Sequence, residues 1–346
     1  MFIVISILAF GVLIAIHELG HFLAAKCCGV RVEEYSIGMG PALWKKRKGD
    51  TLYALRVLPI GGYCAMAGEN EESDDPMAFT NQNAVKKLII LIAGSFMNFL
   101  LGLILIVILF SDAQGYITPV IDGFMEGCPY ESAQALQQGD RFYSIDGKRV
   151  FLVTDVQNLL QQGDGVYDMV LVRNGERITL RNFAFTPQQY AEGLKYGILF
   201  SVEEANVGTT LNITWNTARQ FSRAVWMGLE QLISGQVGIK DMSGPVGIID
   251  IMNTAGKEAE TTRDAADNIL YLTAFIAINL AIMNMLPFPA LDGGRVFLLL
   301  VTLPIEALTH KKLDAKYEAY VNAAGMALLL LLMAVVMFND IVKLVG

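Results

Sequence analysis

The apolar run from Phe2 to Ala25 is long enough to cross the hydrocarbon of a bilayer, and His17, Glu18 and His21 stand inside it. Burying a carboxyl and two imidazoles in lipid without partners costs several kcal/mol, so packing alone does not account for them. Their spacing, His-Glu-x-x-His, is the pattern of a metal-binding helix turn. At 3.6 residues per turn, positions 17 and 21 lie one above the other, and both imidazoles reach a single cation. Glu18 sits roughly 100° around the helix, where it is badly placed as a third ligand. It is well placed to take a proton from a water whose pKa a zinc ion lowers from about 15.7 to near 7. The motif therefore reads as metal-dependent hydrolysis.

The remaining composition fits an integral membrane protein with a water-exposed insert: 53% of the 346 residues are hydrophobic and 17% are charged. Further apolar runs at Leu88 to Phe110, Ile269 to Leu291 and Tyr320 to Phe338 each suffice for a span, giving four transmembrane helices. The third is the most broken, holding Asn279, Asn284, Pro287 and Pro289. The first run lacks a basic leader and is expected to be retained rather than cleaved. A net charge of −8 argues against nucleic acid as a partner.

Charge asymmetry orients the spans. Residues 26–87 carry nine Lys or Arg, including the run Lys45-Lys46-Arg47-Lys48, whereas Ser111 to Tyr130 carries none. The positive-inside rule places 26–87 in the cytoplasm and both termini outside, with His17 and His21 toward the cytoplasmic end of the first span. Cys27, Cys28 and Cys64 then fall on the reducing side and Cys128 stands alone outside, so no disulfide framework is expected. The remaining histidine, His310, lies beside Lys311 and Lys312 and reads as a solvated loop residue.

Between the first two spans, turn-rich Gly38 to Pro41 and Pro59 to Tyr63 bracket the alternating segment Thr51 to Leu58, which predicts a membrane-associated β-hairpin whose exposed edge could pair with an extended peptide. Glu69 to Asp75 is an acidic loop expected to be solvated. In the second span, Gly94 and Asn98 share one helix face, which suits close helix packing or a place near the metal.

From Gly115 to Phe185 the chain turns to short β-branched strands, with hairpin signals at Asp146-Gly147 and Asn174-Gly175. The segment from Cys128-Pro129 through Gly139-Asp140-Arg141 to Ser144-Ile145-Asp146-Gly147-Lys148 resembles the PDZ pattern of a helix entering a Gly-Asp turn and an Ile-Asp-Gly hairpin, with Ala135 where Gly is common. Leu211 to Ile233 carries an apolar stripe suited to the membrane surface or to packing on the β-rich insert. The expected organisation is a membrane core at 1–110, an extracytoplasmic PDZ-like domain at 111–185, a juxtamembrane segment at 186–267 and a second membrane core at 268–346.

A catalytic zinc takes three protein ligands and an open position. Glu33, Glu34 and Asp292 are the candidates for the third. Asp292 is favoured, because it lies at the cytoplasmic end of the third span beside Gly293 and Gly294, which admit close backbone approach.

These motifs in order, with Gly61-Gly62-Tyr63 closing the hairpin and Asn284-Met-Leu-Pro287-Phe-Pro289-Ala-Leu-Asp292-Gly293-Gly294, resemble the site-2 protease family of intramembrane metalloproteases, in particular its regulator-of-sigma-E type, over nearly the whole chain. The resemblance implies His17, His21 and Asp292 as zinc ligands, Glu18 as general base and acid, and Asn284 as an amide that holds the substrate backbone. It extends the substrate-binding set to Asn279, Asn98, Gly61 and Gly62, with Ser95 standing where a Pro is often found. It also implies that the substrate is a single-pass transmembrane protein, an anti-sigma factor or a remnant signal peptide, already trimmed by an upstream protease.

Overall fold

In the computed structural model, residues 2–69, 73–132, 134–191, 193–238, 242–309 and 315–345 are described; His310, Lys311 and Lys312 lie outside them. The chain divides into two compact units, residues 1–105 with 224–346, and residues 106–223.

The first unit is largely helical: α1 (Phe2–Cys27), α2 (Ala84–Phe110, whose last turn belongs to the second unit), α5 (Pro245–Lys257), α6 (Thr262–Met283), α7 (Asp292–Thr309) and α8 (Ala315–Val345). Among the described residues, Phe2–Cys27, Ala84–Phe110, Thr262–Met283 and Tyr320–Lys343 are long and apolar enough to cross a membrane. They leave Leu8, Val12, Leu328, Leu331 and Phe338 exposed, as a lipid-facing surface requires. Leu13 of α1, Met252 of α5 and Ile269, Ile276 and Ala277 of α6 form the buried seam joining these helices. Helix α1 stops where Gly29, with φ +78°, turns the chain and the Val30 N–H donates back to the Ala25 carbonyl at 2.8 Å.

The third span is shorter than the expected Ile269 to Leu291. Helix α6 begins earlier, where Thr261 and Asp264 form a capping box, and ends at Met283, capped by Asn284. Pro287 and Pro289 cannot continue the helical ladder, so residues 284–291, expected within the span, form a loop, and the chain restarts as α7, a helix the apolar-run reading did not anticipate. Ser243 to Ile248 likewise becomes a helix start: Pro245 occupies the first turn of α5, and the buried Asp340 carboxylate of α8 accepts from Gly244 N at 2.9 Å and Gly247 N at 2.8 Å.

Strands β1 (Val32–Lys48) and β2 (Thr51–Met66) pair antiparallel but bend so far that each is used twice. Residues 34–37 pair on one side with 62–65 and on the other with 52–55, while 51–56 also pairs with 42–48. The Thr51 to Leu58 segment is thus internal for most of its length, and the expected exposed edge of the hairpin is supplied by other residues. Residues 62–66 and residues 42–48 each have a single neighbour and form the two open edges, of which 62–66 lies toward Glu18. The acidic loop is not simply solvated either. Glu69 pairs with Arg295, and Asp75 pairs with Arg31 at 3.2 Å.

The second unit contains β3 (Gly115–Phe124), β4 (Arg141–Ile145), β5 (Lys148–Arg149), α3 (Val153–Gln162), β6 (Val166–Arg173), β7 (Glu176–Ala184), β8 (Gln188–Tyr190), β9 (Gly193–Lys195), β10 (Ile198–Glu204) and most of α4 (Val207–Ile233). The main sheet runs β10-β3-β4-β6-β7 around a core that includes Ile121, Phe142, Tyr167, Met169, Leu171 and Phe185. Both hairpin signals form as expected, with positive φ at Asp146-Gly147 and Asn174-Gly175. The expected helix before the Gly-Asp turn is not there: the described residues between Cys128 and Asp140 are turns, bridged at Glu131 and Leu136. Helix α4 buries Ala218 and Phe221, donates from Gln220 to Thr154 Oγ1 at 2.8 Å, and leaves Trp215 and Trp226 exposed. All four cysteines are free.

Candidate metal centre and active site

Helix α1 brings His17 and His21 to one face, as the spacing requires. Helix α2 then packs flat against that face. A Cβ added at Gly94 would lie 2.7 Å from His17 Cε1 and 2.8 Å from His21 Cε1, so only glycine lets α2 come this close to both rings. One turn earlier on α2, the Ile90 carbonyl is 2.8 Å from His21 Nδ1. That bond places the imidazole proton on Nδ1 and leaves Nε2 as a bare lone pair aimed into the site.

Asp292 arrives from the far end of the chain. The Gly293 N–H donates to the Asn284 carbonyl at 2.7 Å, closing the Asn284 to Leu291 loop, and Ala290 inside it adopts φ +77°, uncommon for a residue with a Cβ. Asn322 Oδ1 of α8 accepts from Ala290 N at 3.4 Å. The closed loop sets Asp292 as the first residue of α7, with Oδ2 3.1 Å from His17 Nε2 and 3.2 Å from His21 Nε2.

The two Nε2 atoms are 3.2 Å apart, so three donor atoms form a nearly equilateral triangle. Their side chains are 12%, 9% and 19% exposed. Ligands about 2.0–2.1 Å from a tetrahedral zinc stand roughly 3.3–3.4 Å from one another, which this triangle matches closely. The electrostatics agree. Asp292 Oδ2 has no hydrogen-bond donor, and a bare imidazole lone pair facing a carboxylate at that distance repels it unless a cation lies between them. Two nitrogens and one oxygen suit zinc, which in catalytic sites takes three protein ligands.

Among the described residues His17, His21 and Asp292 form such a cluster and neither Glu33 nor Glu34 joins it. Glu34 instead accepts from Arg56 Nη2 at 2.7 Å. Burial alone would raise its carboxyl, but the Tyr63 hydroxyl and Arg56 hold it below the usual carboxylate range.

Glu18 lies within electrostatic reach of His21, His17 and Asp292. The open strand edge ends beside it, for a Cβ at Gly62 would sit 3.5 Å from Glu18 Cγ. Tyr35 of β1 fixes the sheet to α1 by donating to the Ala15 carbonyl at 3.1 Å. Asn284 caps α6 at the root of the Asp292 loop, and Asn279 lies one turn earlier, partly buried. Asn98 is 1% exposed, with neither amide atom hydrogen-bonded. Two contributors had no signal in the sequence: the Ile90 carbonyl, a backbone atom, and Arg295, which ties the first turn of α7 to Glu69.

Comparison with known proteins agrees with this geometry. The chain is 37% identical over 351 aligned positions to a Clostridium acetobutylicum protein provisionally named a zinc metalloprotease, covering 98% of this chain and 97% of that protein. It is 32% identical to the zinc metalloprotease RasP of Geobacillus kaustophilus, covering 99% and 98%, and 26% identical to the regulator of sigma-W protease RasP of Bacillus subtilis, covering the same shares. The family description Peptidase family M50 matches residues 5–332. With apolar spans, a zinc-fitting triad and relatives that match from end to end, the chain belongs to peptidase family M50, the site-2 proteases, and is a multi-pass membrane zinc metalloprotease.

Proposed function

We propose that this enzyme hydrolyses peptide bonds within transmembrane segments of single-pass proteins that an upstream protease has already shortened. The observation that carries the reading is the position of the triad: two donors belong to a helix apolar enough to span a membrane, and the open strand edge of residues 62–66 ends beside Glu18. In this reading His17, His21 and Asp292 hold the zinc. When bound, that ion polarises a peptide carbonyl and lowers the pKa of water. Glu18 accepts a proton from the attacking water and returns it to the leaving amine nitrogen, so that cleavage ends with a carboxyl and an amine.

A helical substrate hides its carbonyls in its own hydrogen bonds and has to unwind before it can react. The Gly61-Gly62 edge offers backbone partners to the unwound segment, and the Asn284 amide, with Asn279 a turn behind it, holds the substrate backbone at the Asp292 loop. Positive charge in residues 26–87 supports a cytoplasmic hairpin and an extracytoplasmic second unit. The hairpin turns of that unit support a PDZ-like module. The Bacillus subtilis relative is named a regulator of sigma-W protease, which supports a substrate that controls a sigma factor, such as an anti-sigma factor; remnant signal peptides are the alternative class.

The test is Glu18→Gln in detergent-purified protein with a model transmembrane substrate. Zinc content is expected to stay at the wild-type value while cleavage is lost, and undiminished turnover rejects the assignment of Glu18.

A further inference from the structure

Helix α2 runs antiparallel to α1, and its contacts with the two rings step along both helices. The Ile90 carbonyl meets His21, and Gly94 meets both His21 and His17. The next residue on that stripe is Asn98, one turn further along α2, at the level where α1 presents His17. After one more turn comes Gly102, where α2 closes on Ile278 of α6, because a Cβ there would lie 2.6 Å from that side chain. Asn98 is therefore enclosed where α1, α2 and α6 meet.

Two buried polar groups at this level lack a protein partner: His17 Nδ1, and both amide atoms of Asn98. Ser95 Oγ, three residues before Asn98 and a neighbour on the helix surface, is a third. The two rings are thus treated unequally. His21 has its Nδ1–H fixed by the Ile90 carbonyl, whereas His17, whose Nε2 also faces the triad, must carry its proton on Nδ1 and shows no acceptor. An orphaned buried N–H is costly, and an orphaned primary amide beside it adds to that. One water among Nδ1, the amide and the Ser95 hydroxyl gains the two to four polar partners that a buried water requires.

We propose that Asn98 is a positioning residue for the zinc ligand His17, its amide accepting, through one buried water shared with Ser95, the hydrogen bond that fixes the ring's tautomer and orientation. This rests on the reading of His17 as a zinc ligand. Metal-bound histidines are characteristically held by such an outer partner, and losing it lowers metal affinity about 10- to 100-fold.

Asn98→Leu and Asn98→Asp separate this role from simple packing. Leucine has the same number and branching of side-chain heavy atoms as asparagine and suits a membrane helix, so a packing role predicts that Asn98→Leu binds zinc normally and Asn98→Asp is the damaging change. The positioning role predicts the reverse. In full-length protein, competition against a chromophoric chelator should show zinc affinity falling about 10- to 100-fold in Asn98→Leu and staying within about threefold of wild type in Asn98→Asp. The unfolding midpoint of metal-free Asn98→Leu should not drop. Wild-type zinc affinity in Asn98→Leu overturns the proposal. With only three histidines in the chain, an imidazole 15N spectrum gives a second readout that needs no variant at position 98. Zinc-loaded wild type should show two exchange-protected Nδ1–H signals, one of them lost in His17→Ala, and a single protected signal overturns the proposal. Asp292→Ala is the control for the underlying reading: if it keeps zinc, the triad assignment fails, whatever Asn98 does.

Discussion

The two units differ in how they treat one buried carboxylate. In the β-rich unit, Asp140 takes Arg173 Nε and Nη2 at 2.7 Å each and Gln137 N at 2.8 Å. Asp155 accepts from Arg223, from Gln220 and from the backbone N–H groups of Phe151 and Leu152. Every lone pair facing inward has a donor. In the membrane unit, Asp340 follows the same rule with two backbone N–H groups, but Asp292 breaks it, for its inner oxygen meets only imidazole nitrogens. Saturated buried acids hold a fold together, and of these four the one left unsaturated is where a cation fits.

Asp292→Ala is the strongest challenge to that contrast. Cleavage of a membrane substrate should fall by at least about 10³-fold and zinc should be lost on gel filtration, while the metal-free protein unfolds at its usual midpoint, because no donor is stranded by the change. A large loss of metal-free stability would place Asp292 with the structural acids. Asp140→Ala should do the opposite. Stranding the mostly buried Arg173 costs about 2–4 kcal/mol after allowance for solvent screening, read as earlier thermal unfolding of the β-rich unit with zinc content intact. Asp340→Ala strands two N–H groups and should cost about 1–3 kcal/mol, while Asp340→Asn, which keeps an acceptor, should recover most of it in the same denaturation series.

The smallest effect concerns Glu34. Its folded carboxyl lies below the ordinary 4.5, so its pairing with Arg56 and Tyr63 contributes above that pH and fades as pH falls through the lower folded value. Glu34→Gln should therefore cost under about 1 kcal/mol at pH 7, and the difference should shrink as pH falls below 4.5. A pH-independent difference would mean that the carboxylate charge does not matter there.

Much of this was legible in the sequence. The spans declare themselves because twenty apolar residues have few other destinations, and His17, Glu18 and His21 because helical spacing alone fixes their relation. Asp292 could be favoured on depth and neighbouring glycines, yet its approach depends on the fold-back at Pro287 and Pro289, which hydropathy does not register. For the same reason residues 284–291 read as part of the third span and α7 was not anticipated. The Thr51 to Leu58 alternation gave strand type correctly but not strand order, since a bent strand that pairs on both sides has the same local pattern as one with a free edge. Backbone contributions such as the Ile90 carbonyl left no trace in residue identities.

The glycine crossing of α1 and α2 has a further consequence. A Cβ at Gly20 would lie 2.9 Å from the Gly94 Cα, so backbone meets backbone there and no side chain can swing aside as a door. That flank of the reaction chamber is a fixed wall. Any movement that opens the site has to come from elements other than this helix pair.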